Sequence, residues 1–310
     1  MKTLKLGHIN FFRNDEWNDT GHYRIYRLTE LLNEYTDHKY EFVDNCKEEE
    51  CDIVFYSLYE KIENLQLVKG NPIFIYWTDE NMAIGANQIF DSNPFDFYKG
   101  NNLSMSFYDD SEDNIYYPYF VLFIEDYIES LKYKVDVNNK TKFCTFCASN
   151  YDCYNAIYRV NTVKYISEHY KEVTCCGSVL NNTNGVYLPW DFNERIKYHD
   201  NYKFNLCFEN SASTGNLMYI TEKIMNAYSF KVIPIYWGSD RVTEWFNKDS
   251  FINCNGLSFE QILEKIKEVD QNNDLYSYMI NQYAFNMPAL DLKKYFIQKT
   301  DKFIYDHING

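Results

Sequence analysis

The chain has 310 residues, and its 45 Asp and Glu outnumber its 30 Lys and Arg, which gives a formal net charge of −15 at pH 7. This acidic balance argues against a general nucleic-acid binder, since such a protein needs a basic stripe to meet the phosphate backbone. The length is sufficient for two domains of ordinary size, each with its own hydrophobic core.

The first half of the chain alternates strand and helix patterns. Apolar strand patterns cover residues 4–12, 40–43, 52–56 and 72–77, and an amphipathic helix pattern covers residues 23–35. Strands that alternate with helices are typical of an open α/β sheet. We therefore predict an α/β domain in this half.

A second alternation of the same kind follows. It predicts a strand over residues 143–148, a helix over 154–170, a strand over 173–176 and a strand–helix–strand unit around Phe208. Amphipathic helices are predicted after this unit, over residues 258–269 and 290–306.

These patterns predict two domains, over residues 1–138 and 139–290. We place the boundary where residues 137–140 (VNNK) are polar and turn-prone. Residues 291–310 are predicted to form a C-terminal helix that can cross back to the first domain.

Residues 205–211 (NLCFENS) combine a strand pattern with polar chemistry. Phe204, Leu206 and Phe208 alternate with residues that can face the other way, which is typical of a buried strand, before Glu209 begins a polar stretch. In α/β sheets, ligands usually bind where the strands end. We therefore expect a ligand site close to Glu209.

A helix is predicted to start within residues 219–224 (YITEKI). Apolar residues from Ile220 to Tyr228 have helical spacing and predict one buried face, with Thr221, Glu222 and Met225 lying off that face.

Lys223 lies near the N-terminus of this predicted helix. A lysine there opposes the helix dipole unless an anion shares the site, so the pattern favours a phosphate-bearing ligand. The alternative is a solvated surface pair of Glu222 and Lys223.

The sequence contains no Gly-x-Gly pair. Neither a dinucleotide-binding fingerprint nor a kinase-type glycine loop is therefore available. Residues 109–113 (DDSED) form an acidic cluster, for which we favour a solvated loop over a weak cation site.

The nine cysteines are an odd number in a chain that shows no signal peptide. This usage predicts reduced thiols and no disulfide framework. Cys144 and Cys147 have the spacing of zinc ligands, but the strand predicted there would point them to opposite faces, so we predict no metal site. No apolar run reaches the roughly 20 residues that a membrane span requires.

Three motifs in one order carry a resemblance to a known family: residues 208–211 (FENS), 219–224 (YITEKI) and 232–239 (VIPIYWGS). Together they resemble the signature of the α1,3-fucosyltransferase family, which uses GDP-fucose, and the similarity is greatest to bacterial-type soluble members. It is strongest over residues 142–253. The resemblance implies an α/β fold of the GT-B type, with two Rossmann-like domains that face a central cleft.

The resemblance also implies a reaction. The expected enzyme is an inverting glycosyltransferase that moves L-fucose from GDP-fucose to a glycan hydroxyl, such as O3 of N-acetylglucosamine or glucose. Two alternatives stay open, a GT-B enzyme with another nucleotide-sugar donor and a non-catalytic glycan- or nucleotide-binding protein of the same fold. The chain lacks the Asp-x-Asp metal motif of the other major glycosyltransferase architecture, so we expect no metal cofactor.

The matching positions imply donor-binding residues. Lys223 and Arg159 are expected to neutralise the diphosphate, and Arg159 suits this task because its planar fork can donate two hydrogen bonds to phosphate oxygens. An exposed helix arginine is the alternative for Arg159. Asn210, Tyr219 and Glu222 match family positions that contact the nucleotide sugar.

Inversion requires a general base on the acceptor side. Glu80 is our candidate, because it follows an apolar strand within a Thr-Asp-Glu-Asn sequence similar to the setting of the base in bacterial relatives. Its neighbour Asp79 is the alternative. With Arg159 and Lys223, Glu80 completes the predicted catalytic set.

The expected partners are GDP-fucose and an oligosaccharide or glycoconjugate acceptor. Golgi members of the family carry an N-terminal anchor, whereas this chain begins directly with KTLKL after Met1. We therefore expect a protein of the cytoplasm without an integral membrane segment.

Overall fold

The computed structural model describes residues 2–9, 20–57, 66–77, 103–149 and 156–309, with backbone only for residues 20–22, 156 and 309. The chain divides into two compact units. One comprises Met1–Tyr117 with Asp291–Gly310, and the other comprises Pro118–Leu290. Each unit is built on its own parallel sheet, so the predicted α/β class is confirmed.

The first unit contains a six-stranded sheet. Its elements are β1 (Thr3–Ile9), α1 (Thr20–Tyr35), β2 (Lys39–Val43), β3 (Ile53–Tyr56), β4 (Ile73–Trp77), β5 (Leu103–Ser106) and β6 (Asn114–Tyr116). The strand order is β2-β1-β3-β4-β5-β6, and every neighbouring pair is parallel. The strands and the helix predicted for this half are confirmed over the described residues, whereas β5 and β6 were not predicted.

The second unit contains a five-stranded parallel sheet in the order β11-β10-β9-β7-β8. Its strands are β7 (Lys142–Phe146), β8 (Val173–Cys175), β9 (Tyr202–Ser213), β10 (Ile233–Ser239) and β11 (Ile252–Asn253). Its helices are α2 (Ile124–Ser130), α3 (Ala156–His169), α4 (Phe192–His199), α5 (Glu222–Ser229), α6 (Phe259–Gln271) and α7 (Asn273–Ile280).

The last helix, α8 (Ala289–Asn309), follows the second unit in sequence. From Asp291 onward its residues group with the first unit. Residues 118–138, which the sequence interpretation placed in the first domain, group with the second unit, and the VNNK segment begins there as a short 3-10 helix, Val137–Asn139.

Strand β9 is longer than the sequence pattern predicts. It continues through Glu209 and Asn210 as far as Ser213, and both of its faces are buried. The alternation of Phe204, Leu206 and Phe208 therefore does not mark one buried and one exposed face. A strand at the centre of a parallel sheet is covered on both sides, so its intervening residues are buried as well.

Helix α5 begins at Glu222, within the range of residues 219–224 in which a helix start was predicted. Met225 and Thr221 were expected off the buried face, yet both are buried. The reason is that α5 packs against β9 and β10 on one side and against α2 and the 3-10 helix Tyr119–Phe123 on the other. A helix enclosed on two sides keeps only a narrow open face, which here consists of the half-buried Glu222, Lys223 and Asn226.

Candidate functional site

The end of β9 and the start of α5 meet at a buried carboxylate, Glu209. Its Oε1 accepts a hydrogen bond from the backbone N–H of Thr221 (2.7 Å), and its Oε2 accepts one from the Thr221 hydroxyl (2.6 Å). Thr221 precedes α5 in an extended conformation that directs its N–H towards β9. Glu209 therefore fixes the first turn of α5 on the sheet.

Gly238 on β10 makes room for this carboxylate. A Cβ atom at position 238 would lie 2.5 Å from Cγ of Glu209 and 2.6 Å from the hydroxyl oxygen of Tyr236. Real Cβ contacts are essentially never that short, so only glycine allows Glu209 and Tyr236 to occupy these positions. The WGS part of the third sequence motif thus has a packing reason.

Lys223 completes a charged cluster at the same place. Its Nζ lies 3.1 Å from Oε2 of Glu209 and 3.4 Å from Oε1 of Glu222, and it donates a hydrogen bond to Oγ1 of Thr221 at 2.8 Å. Because Glu209 is a fully buried member of this cluster, Glu222 and Lys223 are not a solvated surface pair. The two carboxylates also explain how a lysine is tolerated at a helix start.

The protonation of the cluster follows from its contacts. Burial raises the pKa of Glu209, although the Lys223 ammonium acts in the opposite direction. Burial also acts to raise the pKa of Glu222, but Lys223 and hydrogen bonds outweigh it, so the net pKa is lowered. For Lys223, burial lowers the pKa, yet Glu209 and Glu222 raise it more, so the side chain remains an ammonium at neutral pH.

A cavity of about 470 Å³ opens beside this cluster, and we call it the β9–α5 cavity. It is lined by the ends of β7 and β8, by β9, α4 and α5, and by the loop before α4. Its polar lining includes Glu222, Lys223 and Arg195, and its aromatic lining includes Tyr187 and Trp190. This combination of one concave volume with a few converging polar groups is typical of a small-molecule site.

Arg195 is the second cation of the β9–α5 cavity. Its Nε donates to the carbonyl of Pro189 (2.6 Å), and its guanidinium lies 5.8 Å from the centre of the Trp190 ring. In the part of the chain that the structure describes, no carboxylate forms an ion pair with Arg195. Its guanidinium can therefore meet an anion in the cavity.

Gly177 shapes the wall of the same cavity after β8. A Cβ atom at position 177 would lie 2.3 Å from the carbonyl oxygen of Ala148. Glycine at position 177 therefore allows the backbone of Ala148, which follows β7, to approach closely.

The predicted donor-binding residues have different positions. Glu222 and Lys223 line the β9–α5 cavity, whereas Arg159, Asn210 and Tyr219 are not among its described lining residues. Arg159 is 3% exposed, and its Nη1 donates a hydrogen bond to Oδ1 of Asn210 at 2.8 Å. The alternative of an exposed helix arginine is therefore wrong. Tyr219 is buried, with its N–H donating to Oγ of Ser213 at 2.9 Å.

The predicted general base lies outside the described residues. Neither Glu80 nor its alternative Asp79 belongs to a described range, so both stay predictions. Strand β4 (Ile73–Trp77), which precedes them, is described and lies inside the sheet of the first unit between β3 and β5.

Two functional candidates were missed by sequence reasoning. Glu209 marked the polar end of the strand pattern and belonged to the FENS motif, but no role was assigned to its side chain, although a carboxylate within an apolar run signals a buried partner. Arg195 had no sequence signal, because it lies outside all three motifs and reaches the cavity only through the packing of α4.

The described residues contain no group of three or more His, Cys, Asp and Glu side chains that could hold a metal ion. Cys144 is buried in the core, whereas Cys147 is exposed and lines the β9–α5 cavity. No helix within the described ranges is both long and apolar enough to cross a membrane.

Comparisons with known proteins place this site in a wider context. The model of glycosyltransferase family 10 (fucosyltransferase), C-terminal part, matches residues 137–296, just over half of the chain. The chain is 36% identical over 163 residues to an alpha-(1,3)-fucosyltransferase of Helicobacter pylori, a match that covers 51% of this chain and 30% of the relative. It is 31% identical over 194 residues to a putative fucosyltransferase of Acanthamoeba polyphaga mimivirus, a match that covers 59% of this chain and 31% of the relative. The chain thus spans about a third of the length of these two relatives.

Solved structures have the same fold. A crystal structure of an alpha1,3-fucosyltransferase matches with a TM-score of 0.70 and 23% identity, covering 99% of this chain and 90% of that one. A crystal structure of an alpha1,3-fucosyltransferase with GDP-fucose matches with a TM-score of 0.68 and 23% identity, covering 97% of this chain and 90% of that one. T4 phage BGT in complex with UDP and Mn²⁺ matches with a TM-score of 0.52 and 9% identity, covering 99% of this chain and 98% of that one. The predicted GT-B class is confirmed, and with half of its length matched by the family model the chain belongs to glycosyltransferase family 10, the fucosyltransferases.

Proposed function

We propose that this protein transfers L-fucose from GDP-fucose to a glycan hydroxyl with inversion at the sugar carbon, and that O3 of N-acetylglucosamine or glucose is the acceptor atom. The observation that carries the proposal is the β9–α5 cavity, in which Lys223 and Arg195 supply two cations beside the carboxylate of Glu222. Family membership supports the reaction, and the name of the Helicobacter pylori relative supports the α1,3 linkage.

The cavity offers suitable chemistry for a nucleoside diphosphate sugar. Its volume lies within the range of roughly 300 to 1,000 Å³ that is usual for small-molecule sites. Lys223 and Arg195 are proposed to neutralise the diphosphate as it leaves, Glu222 to accept hydrogen bonds from ribose hydroxyls, and the faces of Tyr187 and Trp190 to stack on the base.

Arg159, Asn210 and Tyr219 keep a place in the proposal. Arg159 is close enough to Lys223 to lower the pKa of that lysine, although its effect is smaller than those of burial and the two glutamates. We propose that Arg159 and Asn210, which are hydrogen-bonded to each other, hold the end of β9 from which Glu209 positions Lys223. Contact of Arg159 with the diphosphate itself stays a prediction.

Glu80 is proposed as the general base that takes the proton from the acceptor hydroxyl. It follows β4, an interior strand of a parallel sheet, and ligands of such sheets bind beyond the carboxyl ends of the strands. Asp79 remains the alternative because it adjoins Glu80 in sequence.

Metal-independent transfer is part of the proposal. The two cations of the cavity can carry the charge of the diphosphate, and the carboxylates of Glu209 and Glu222 already hold Lys223. Transfer rates are therefore expected to be equal in EDTA and in Mg²⁺ or Mn²⁺. A requirement for one of these ions would contradict this part of the proposal.

A reducing compartment, and hence the cytoplasm, is proposed as the site of action. All eight cysteines within the described ranges are free thiols, even where the sulfurs of Cys46 and Cys51 lie only 3.2 Å apart. Such usage is normal for proteins that are kept reduced.

The transfer reaction itself tests the proposed function. Purified protein is incubated with GDP-fucose and either N-acetyllactosamine or glucose, and the product linkage is determined by NMR. Glu80→Gln is expected to lower the transfer rate roughly 10² to 10⁴-fold while GDP still binds, and Asp79→Asn is expected to keep the rate. The reverse result would identify Asp79 as the base. Transfer from UDP-sugars but not from GDP-fucose would favour another donor, and GDP binding without any transfer would favour a non-catalytic protein.

A further inference from the structure

Helix α4 separates the β9–α5 cavity from a second cavity of about 290 Å³. Arg195 of α4 lines the first cavity, whereas Asn193, Ile196 and Lys197 of the same helix line the second. Phe230 borders both. The second cavity takes no part in the proposed transfer reaction.

Four lysines line this second cavity: Lys134, Lys140, Lys197 and Lys231. Asp200 is the one acidic residue in its lining. Within the described ranges, none of the four ammonium groups lies within ion-pair distance of a carboxylate. Such a concentration of unpaired positive charge is unexpected in a chain whose net charge is −15. We call this second cavity the lysine cavity.

Lys140 distinguishes the lysine cavity from a solvated cleft. The residue is only 4% exposed, and its ammonium donates to the carbonyl of His199 at 3.2 Å. An ammonium has three donors, and a buried cation is costly unless it is paired with an anion. Burial lowers the pKa of Lys140 to about 8, although Asp200 acts in the opposite direction. The site as it stands is therefore short of negative charge.

Lys231, which also lines the lysine cavity, combines an unfavourable backbone conformation with an ammonium that is partly removed from water. It follows the C-terminus of α5 with a φ of 59°, in the left-handed region that glycine or asparagine usually occupies after a helix. Burial lowers the pKa of its ammonium to about 8. Backbone strain and desolvation of the ammonium thus occur at the same residue, and glycine at this position would remove both. Their presence indicates that the positive charge serves a function, such as binding an anion.

We propose that the lysine cavity is a binding site for a compact phosphate anion of two or more negative charges, separate from the β9–α5 cavity. The four lysines that line this cavity come from three separate segments of the chain. An ammonium binds phosphate as a point charge, without the planar fork by which arginine holds a carboxylate. The volume accommodates a pyrophosphate-sized ion. The bound anion would supply Lys140 and Lys231 with a negative partner, where the structure gives Lys140 a carbonyl and Lys231 the ring of Tyr127, 5.7 Å away.

Calorimetric titration with sodium pyrophosphate tests this site. Wild type is compared with the double variant Lys134→Gln/Lys197→Gln, in which both residues are exposed, and with Lys231→Gly, which removes a charge and suits the left-handed backbone. Arg195→Ala removes a cation from the β9–α5 cavity only, and Lys265→Gln is the control for an exposed lysine on α6.

Pyrophosphate is expected to bind Lys265→Gln like wild type. Its binding to the lysine cavity is expected to be about tenfold or more weaker in the double variant and in Lys231→Gly. Arg195→Ala is expected to weaken only binding to the β9–α5 cavity, so the lysine cavity still binds pyrophosphate in this variant. Lys231→Gly is also expected to raise the melting temperature of the free protein. A raised melting temperature would show that this variant loses pyrophosphate binding while it remains folded. Absence of binding by wild type at millimolar pyrophosphate would overturn the proposal. Binding that Arg195→Ala abolishes while the lysine variants retain it would place the anion in the β9–α5 cavity and would also overturn it. Because the Arg195 variant reports on the β9–α5 cavity and the lysine variants report on the lysine cavity, failure of this site and failure of the proposed transfer reaction are distinguishable.

Discussion

Glu209 is the residue on which the local structure of the site depends. It holds Thr221 by two hydrogen bonds and Lys223 by an ion pair, so one buried carboxylate sets both the start of α5 and the position of the cation. Breaking a buried pair of this kind typically costs about 3 to 5 kcal/mol, because the remaining charge stays buried without a partner. The FEN and TEK motifs are therefore two parts of one contact.

Cys147 provides a chemical probe of the β9–α5 cavity. A hydrogen bond from the Cys176 thiol is the largest influence and lowers the pKa of Cys147, burial raises it, and Arg195 lowers it, with a net pKa of about 7. The thiolate is the reactive form of cysteine. The rate at which iodoacetamide alkylates Cys147 should therefore reach half its maximum near pH 7, whereas for an ordinary cysteine it does so near its pKa of about 8.5.

The alkylation site is identified by mass spectrometry after digestion. GDP should protect Cys147 from the reagent, and Arg195→Ala should shift the alkylation midpoint to higher pH because a nearby cation is lost. Equal labelling with and without GDP, at concentrations that saturate binding, would contradict the position of the nucleotide in this cavity.

At the scale of elements, helix α4 carries the wall between the two cavities, and its last residue contributes to stability. His199 is buried, stacks on Phe230 at 4.5 Å, and its Nδ1 lies 2.8 Å from the carbonyl oxygen of Arg195. The net pKa of His199 is lowered to about 4. Burial is the main cause, Lys140 and Arg195 also lower the pKa, and the hydrogen bond to the Arg195 carbonyl acts in the opposite direction.

This lowered pKa predicts a loss of stability in acid. Between the unfolded value of about 6.5 and the folded value of about 4, the unfolded chain binds a proton that the native state does not, so stability falls as the pH falls. The shift corresponds to about 3 kcal/mol at pH 4. Urea unfolding of wild type and His199→Phe, from pH 7 to pH 4, should show a difference in free energy that changes by this amount.

His169→Phe on the exposed surface of α3 is the matched control and should leave the pH dependence unchanged. A difference between wild type and His199→Phe that stays constant across the pH range would show that His199 is not held neutral in the native state.

The same scale shows where a sequence pattern is informative. The type of nearly every predicted strand and helix in the described ranges agrees with the structure, because parallel strands and amphipathic helices have strong apolar periodicity. The end of β9 and the burial of Met225 were not predictable in this way, because they depend on which elements cover β9 and α5 from outside. Glu222 and Lys223 were found from motif chemistry, whereas Arg195 required the three-dimensional arrangement of α4.

At the scale of the whole molecule, α8 is the element whose sequence position and structural unit differ. Asp301 of α8 accepts a hydrogen bond from the hydroxyl of Tyr40 (2.6 Å) and lies 2.8 Å from Nδ1 of His38, so α8 is tied to the β2 region of the first unit. Nothing in the local sequence of α8 indicates these partners, which are more than 250 residues away.

Removal of the Asp301 carboxylate should destabilise the first unit. Asp301→Ala leaves the largely buried Tyr40 hydroxyl without its acceptor, which is expected to cost about 1.5 to 3 kcal/mol, and Asp301→Asn should cost less because the amide oxygen can still accept. Asp306→Ala, at an exposed position on α8, should change the free energy of unfolding by no more than about 0.5 kcal/mol. Chemical denaturation followed by tyrosine fluorescence measures all three, and equal stability of Asp301→Ala and wild type would contradict the attachment of α8 through Asp301.

The overall charge of the molecule contrasts with its cavities. A chain of net charge −15 places Lys223 and Arg195 in one cavity and four lysines in another. An acidic surface does not attract anions over long distances, so selectivity for a nucleotide must come from contacts inside the β9–α5 cavity.

The most direct measurement is nucleotide binding, by thermal shift and calorimetry, with GDP, GDP-fucose, UDP and ADP on wild type, Lys223→Ala and Arg195→Ala. Lys265→Ala is the control for an exposed lysine. We expect GDP and GDP-fucose to stabilise wild type and Lys265→Ala more than UDP or ADP does, and both cavity variants to lose most of this stabilisation. Indifference of wild type to GDP, or equal stabilisation of Lys223→Ala, would contradict the assignment of the β9–α5 cavity as the GDP-fucose site.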